Sequence, residues 1–368
     1  MSTFGENGPF FGATSTYIDG NKKIQYAGAT SVSYDDAVFK ATIEGIERWC
    51  SGQVRTDYFG PANKLVRWMN PYKLFPLSKE QAEKYGVSVF TDDLPISWTI
   101  GKDSSGNDIF LPSDIIYYGQ KDTKNQIYFG HSSGIAAYSN FAEAEKRALT
   151  ELIERDAMMR SWYTRESPKV LSEKNLSIHV KKRIQHWKKE GRKLYVLELP
   201  SDYGRVIEVV ITGNEFPFFV AGAAATITAT STEDTVLKAL QEAEYNLCLM
   251  LGNNDTEYNI TPDTVSSPTD HGVLYATEEY AKKLQWLYSG EEIDSFTDLH
   301  WRTAEELKNI LDTITVDLTL PNMSLYVVRV FSPKLVQINF GSNSAHYAYP
   351  FLVDKVKPES LELPHYFA

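Results

Sequence analysis

The apolar and polar positions of this chain follow two alternating periods. Helical spacing governs residues 34–51, 78–85, the run after Asn140, 173–189, the run through Asp234 and Glu242, 277–288 and 303–311. Runs rich in β-branched and aromatic residues read as strands at 24–31, 98–101, 108–112, 115–118, 127–129, 193–199, 205–212, 216–228 and 325–331. Ser104-Ser-Gly-Asn107 has the composition of a hairpin turn, Asn214 marks another turn, and Gly191 suits a helix C-terminus. Residues 53–93 are aromatic and broken by proline. Residues 256–272 are rich in Thr, Ser, Pro and Asp and read as an exposed loop, and residues 1–20 as a flexible N-terminus. Helices interleaved with strands predict an α/β (α+β) fold with mixed sheets.

Within the helical segments one pattern occurs three times. It reads Asp36-x-x-x-Lys40-Ala41-x-x-Glu44, then Glu143-x-x-x-Arg147-Ala148-x-x-Glu151, then Asp234-x-x-x-Lys238-Ala239-x-x-Glu242. The first two copies continue as Glu44-x-x-Glu47-Arg48 and Glu151-x-x-Glu154-Arg155. The third departs, with Glu244 and Tyr245 after Glu242. Glutamates three apart share a helix face and repel unless a cation lies between them, and oxygen-rich sets suit Mg2+. Small residues lead into each helix, and small residues let a backbone approach a ligand closely. Ser33, Asn140 and Ser231 are suited to cap these helices. Acids near a helix start and base-to-acid pairs four apart also serve ordinary helix stability, so the repeat alone leaves both readings open.

With 368 residues and 42% apolar content the chain can bury a substantial core, as one large domain or two closely joined ones. A formal charge of −11 argues against a phosphate-backbone binder, so no nucleic acid is expected. The two cysteines, Cys50 and Cys248, form no zinc pattern or disulfide framework and suit a reducing compartment. No apolar run approaches the roughly 20 residues that span a bilayer, so the expectation is a cytoplasmic protein with no membrane partner. Twenty-two tyrosines would suit the holding of an extended peptide.

The sequence Glu151-Leu-Ile-Glu-Arg-Asp-Ala157, with Ser132-Ser-Gly134 before it, resembles the YcaO family. Ile43-Glu-Gly-Ile-Glu-Arg-Trp49 is similar to that family's first glutamate motif, and Ala239-Leu-Gln-Glu-Ala243 to its third. The resemblance runs from about Tyr26 to the C-terminus. It implies a catalytic domain over 21–368 that binds ATP and Mg2+ through glutamates on several helices. Carried over by residue, Glu44, Arg48, Ser139, Asn140, Glu143 and Lys238 fall at ATP-binding positions, and Glu47, Glu151, Glu154 and Glu242 at metal positions. Lys40 and Ala136 stand where the family has serine, Ser139 where it has asparagine and Lys238 where it has glutamine.

The tail, Pro364-His-Tyr-Phe-Ala368, resembles an eroded form of the proline-rich end of the peptide-cyclising subfamily, which implies that residues 361–368 enter the active site. Ser332-Pro333 and Ile338-Asn-Phe-Gly341 add to that likeness. The implied reaction converts Cys, Ser or Thr of a ribosomal precursor peptide to thiazoline or oxazoline, with ATP phosphorylating the backbone amide oxygen. The Ala368 carboxylate is the expected base and His365 a second candidate. His131, before the Ser-Ser-Gly, and Arg329, inside an apolar run, are each readable as phosphate-facing or as structural. The implied partners are the precursor peptide, a separate E1-like or leader-binding protein and a flavin dehydrogenase; a homodimer is compatible. Thioamide or amidine formation, and a scaffold role in a modification complex, are the competing readings.

Overall fold

In the computed structural model, residues 11–18, 24–31, 33–118, 125–229, 232–252, 259–341 and 349–367 are described. Its contacts divide the chain into two compact units. One comprises Met1–Leu152 with Ala304–Gln337, the other Ile153–Thr303 with Ile338–Ala368. The boundary falls inside the Phe141–Thr164 helix.

In the first unit, strands Phe11–Ile18 and Ile24–Ser31 form an antiparallel hairpin on the Tyr34–Ser51 helix. Small residues make its buried centre: Ala13, Ala37 and Ala41 are buried together with Phe11 and Val38 packed against them, and the Ser15 hydroxyl donates to the Ala41 carbonyl (2.6 Å). Phe11–Ile18, inside the stretch 1–20 expected to be flexible, is a strand, and residues 1–10 lie outside the described residues. This strand is held by backbone pairing and methyl-sized contacts, which composition does not reveal. Ser33 caps the helix, its hydroxyl accepting from the Asp36 amide (3.3 Å). A second, six-stranded sheet joins Tyr58–Gly60, Ile96–Asp103, Asp108–Pro112, Ile314–Asp317, Tyr326–Phe331 and Ile135–Tyr138, all antiparallel. Trp98, Leu111, Val316 and Val327 form its fully buried core.

Two strands expected in this unit are absent among the described residues. Residues 115–118 overlap a helical turn, Ser113–Ile116, closed by the Tyr117 amide donating to the Ser113 carbonyl (3.1 Å). The Ile127 amide donates to the Asp114 carboxylate (2.9 Å), a side-chain partner in place of a ladder.

The second unit has a five-stranded sheet in the order Phe219–Thr226, Arg205–Thr212, Lys193–Leu199, Lys169–Leu171 and Glu292–Ile293. All pairs are antiparallel but the last, which makes the sheet mixed. The Thr232–Gly252 helix packs on it through Ala239, Leu240, Ala243 and Leu247. A Cβ on Gly222 would lie 2.1 Å from the Ala243 nitrogen, so only glycine allows this approach of strand and helix. The Ile178–Lys189 helix is rich in basic residues and buries Val180 and Trp187. Arg183 Nε donates to Glu244 (2.8 Å) inside the unit, which explains the departure of the third repeat at Glu244. The expected loop 256–272 is corrected where the Pro268–Ala276 helix begins. Ser267 and Asp270 close a capping box around Pro268, and the helix buries His271, Leu274 and Tyr275. Among the described residues no helix is long and apolar enough to cross a membrane.

Candidate functional site

The first two copies of the repeat meet in the first unit. The Tyr34–Ser51 helix carries Glu44, Glu47 and Arg48, and the Phe141–Thr164 helix carries Glu143 and Glu151. Both helices send a glutamate to the backbone of the small-residue stretch. Glu47 Oε1 accepts from the Ala137 amide (2.6 Å), and Glu151 Oε2 from the Gly134 amide (3.1 Å). Gly134 has φ +75° and no room for a Cβ, which would lie 2.6 Å from the Val330 carbonyl oxygen.

This crowding shapes the electrostatics. Desolvation pushes the Glu47 carboxyl up to about 8; the charges of Glu44 and Glu151 add to that, against the Ala137 amide and Arg48. Burial alone would push the Arg48 guanidinium down, yet Glu44, Tyr118, Glu151 and Glu47 hold it above its ordinary value. Arg48 Nη2 lies 3.3 Å from Glu44 Oε1. The fully buried Arg329 donates to the Ile116 carbonyl (2.5 Å). Its Nε and Nη2 have no hydrogen-bond partner among the described residues, and burial lowers it to about 9.

The remaining candidates of this unit sit at the surface or serve local structure. Asn140 Oδ1 accepts from the Glu143 amide (3.2 Å), and the Glu143 carboxylate pairs with Lys146 (3.4 Å). Ser139 is exposed. His131 is buried and its Nδ1 accepts from the Ser133 amide (3.1 Å), which folds the Ser-Ser-Gly turn. Cys50 is buried and pushed up to about 11 by desolvation, which suits packing rather than reactivity.

In the second unit, Glu154 and Glu242 line one cavity of about 160 Å³ together with Arg155, Asn246, Tyr366 and Phe367. Glu242 Oε2 accepts from the Ala223 amide (3.3 Å), and Asn246 donates to the Ala221 carbonyl (2.9 Å). Lys238 is exposed on the same helix. Ser231 and Ala368 lie outside the described residues. His365 is buried; its Nε2 is 2.5 Å from the Asn339 carbonyl oxygen, and burial holds it well below the ordinary histidine range. Sequence reasoning passed over Glu208, which is fully buried beside Tyr366, and Glu145, which anchors its helix to Lys308 (2.8 Å) and Thr315 (2.6 Å). An acid inside the apolar run 205–212 was the available signal for Glu208.

Among the described residues no three carboxylate, imidazole or thiol groups form a ready metal cage. Mg2+ does not ask for one: it keeps waters and takes one or two carboxylates together with substrate phosphates. The donors present are carboxylates, and the crowded, desolvated Glu47 is a group that a cation would relieve, so the residues fit the ion.

The family model described as YcaO cyclodehydratase, ATP- and Mg2+-binding, matches residues 28–336. Among solved structures, a heterocyclase in complex with substrate and cofactor superimposes with a TM-score of 0.71 at 19% identity, over 90% of this chain and 48% of that one. The heterocyclase TruD gives 0.66 at 19%, over 88% and 49%. YcaO from Methanopyrus kandleri, bound with AMPPCP and Mg2+, gives 0.67 at 17%, over 97% and 88%. The E. coli microcin synthetase McbBCD complex gives 0.64 at 15%, over 97% and 98%. The chain spans about half the length of the first two structures. A search of curated proteins found no match. The match over most of the chain, together with the glutamate motifs, carries the conclusion: the chain belongs to the YcaO family, and ATP and Mg2+ are its cofactors.

Proposed function

We propose that this protein is an ATP-dependent cyclodehydratase that turns Cys, Ser or Thr of a ribosomal precursor peptide into thiazoline or oxazoline. The observation that carries this reading is the pair of helix glutamates, Glu47 and Glu151, fixed to one short backbone stretch and crowded by Glu44 and Arg48. When bound, ATP and Mg2+ would supply the phosphoryl group that lets the amide oxygen leave and the positive charge that holds the phosphates. We assign Glu47, Glu151, Glu154 and Glu242 to the metal, and Glu44, Arg48, Ser139, Asn140, Glu143 and Lys238 to the nucleotide. The peptide side chain adds to the preceding carbonyl carbon, and its proton passes to a base. We place that base at the end of the tail, on the Ala368 carboxylate. His365 is the weaker candidate: its Nε2 faces the Asn339 carbonyl and its ring is buried. The partners that go with this reading are the precursor peptide and a leader-binding protein, with a flavin dehydrogenase downstream.

The test is direct. Glu151→Gln and Glu154→Gln should each lower ATP turnover by about a hundredfold or more while circular dichroism and melting stay near wild type. Wild-type turnover in both variants would refute the metal assignment. Mass spectrometry of a reacted precursor then separates chemistries: loss of water marks cyclodehydration, and exchange of oxygen for sulfur marks thioamidation. Absence of nucleotide binding would favour a scaffold.

A further inference from the structure

The residues before Ala368 are held by buried polar groups from two separate elements of the second unit, the Pro268–Ala276 helix and the Arg205–Thr212 strand. Tyr275 donates its hydroxyl to the Pro364 carbonyl (2.6 Å). His271 Nδ1 lies 2.6 Å from the His365 carbonyl oxygen. Tyr366 donates its hydroxyl to Glu208 Oε2 (2.8 Å). His271 and Tyr275 are four apart on the Pro268–Ala276 helix and so share a face.

The tautomers follow from the partners. The Gly341 amide donates to His271 Nε2 (3.0 Å), so Nε2 carries no proton and Nδ1–H is the donor to the tail. The Asn339 carbonyl can only accept, so His365 carries its proton on Nε2. Burial holds both imidazoles below the ordinary histidine range, which favours the uncharged form, and the rings stack at 4.1 Å. Glu208 sits in the middle of a strand whose neighbours are all buried, and its Oε1 has no hydrogen-bond partner among the described residues.

Packing an aromatic tail for stability needs only apolar contact. A buried carboxyl and two committed side chains on a helix cost desolvation, and what such groups add is one defined path for the chain they hold. We propose that Glu208, His271 and Tyr275 are positioning residues: a receptor that fixes the register of residues 364–367, so that Tyr366 and Phe367 stand in the wall of the cavity with Glu154 and Glu242. This rests on the proposed catalytic role of the tail only where turnover is concerned.

The test separates the two. In the full chain, carboxypeptidase release of the residues at positions 367 and 366 should quicken by on the order of tenfold in Tyr366→Phe, Tyr275→Phe and Glu208→Leu. Glu208→Gln still accepts from the Tyr366 hydroxyl and should keep the wild-type rate. ATP affinity should hold in all four variants. For the cyclised product kcat should fall with little change in KM in the first three. Release as slow as wild type in both tyrosine variants would overturn the receptor. So would quicker release in Glu208→Gln to the extent seen in Glu208→Leu. Quicker release with unchanged kcat upholds the receptor and refutes the catalytic role of the tail instead.

Discussion

Glu208 shows what a single buried acid does to this molecule. Desolvation pushes its carboxyl from 4.5 up to about 8, Tyr366 opposes this and the Glu242 charge adds to it. The folded state therefore keeps a proton that the unfolded chain releases. Its contribution to stability is full below pH 4.5 and is lost as pH rises towards 8, by at most about 1.4 kcal/mol per pH unit. Glu208→Gln should flatten this part of the curve, so urea unfolding at pH 5 and pH 8 should differ less than in wild type. An unchanged slope would mean that Glu208 is ionised when folded. Glu47 and Glu151 were legible at this scale because their spacing repeats along the sequence. Glu208, His271 and Tyr275 were not, because each meets a partner that lies far away along the chain.

Among elements, helices with caps were the easiest to read. The 34–51 helix and the helix after Ser78, with its Ser78–Gln81 capping box, appear where expected. The strands at 193–199 and 205–212 do too, because their β-branched runs are continuous. The Pro268–Ala276 helix was missed although Ser267, Pro268 and Asp270 are start signals, since loop-like composition outweighed them. Ser267→Ala should cost about 1 kcal/mol. Because that helix carries His271 and Tyr275, the same change should speed carboxypeptidase attack on the tail; stability loss without faster attack would separate cap from tail. Gly222→Ala should be harsher, about 3 kcal/mol, since the new methyl meets the backbone of the Thr232–Gly252 helix. A melting temperature equal to wild type would show that the strand can move away.

At the scale of the whole molecule, the division into units was not legible. Ala304–Gln337 belongs with the N-terminal half because Tyr326–Phe331 pairs with Ile135–Tyr138, a contact that no local pattern announces. The family's fold was legible, since its motifs recur in order along the chain. ATP with Mg2+ should raise stability by about 2.7 kcal/mol at a hundred times the dissociation constant. EDTA should abolish that shift, and Glu47→Gln or Glu151→Gln should reduce it. A shift that survives EDTA would place nucleotide binding outside the carboxylates.

The burial of residues 364–367 bears on how this protein should be handled. Any affinity tag or fluorescent fusion appended after residue 368 would start from chain enclosed by Glu208, His271 and Tyr275, and would press on those contacts. Purification handles belong at the other end of the polypeptide, and a C-terminally tagged preparation is a poor standard for turnover.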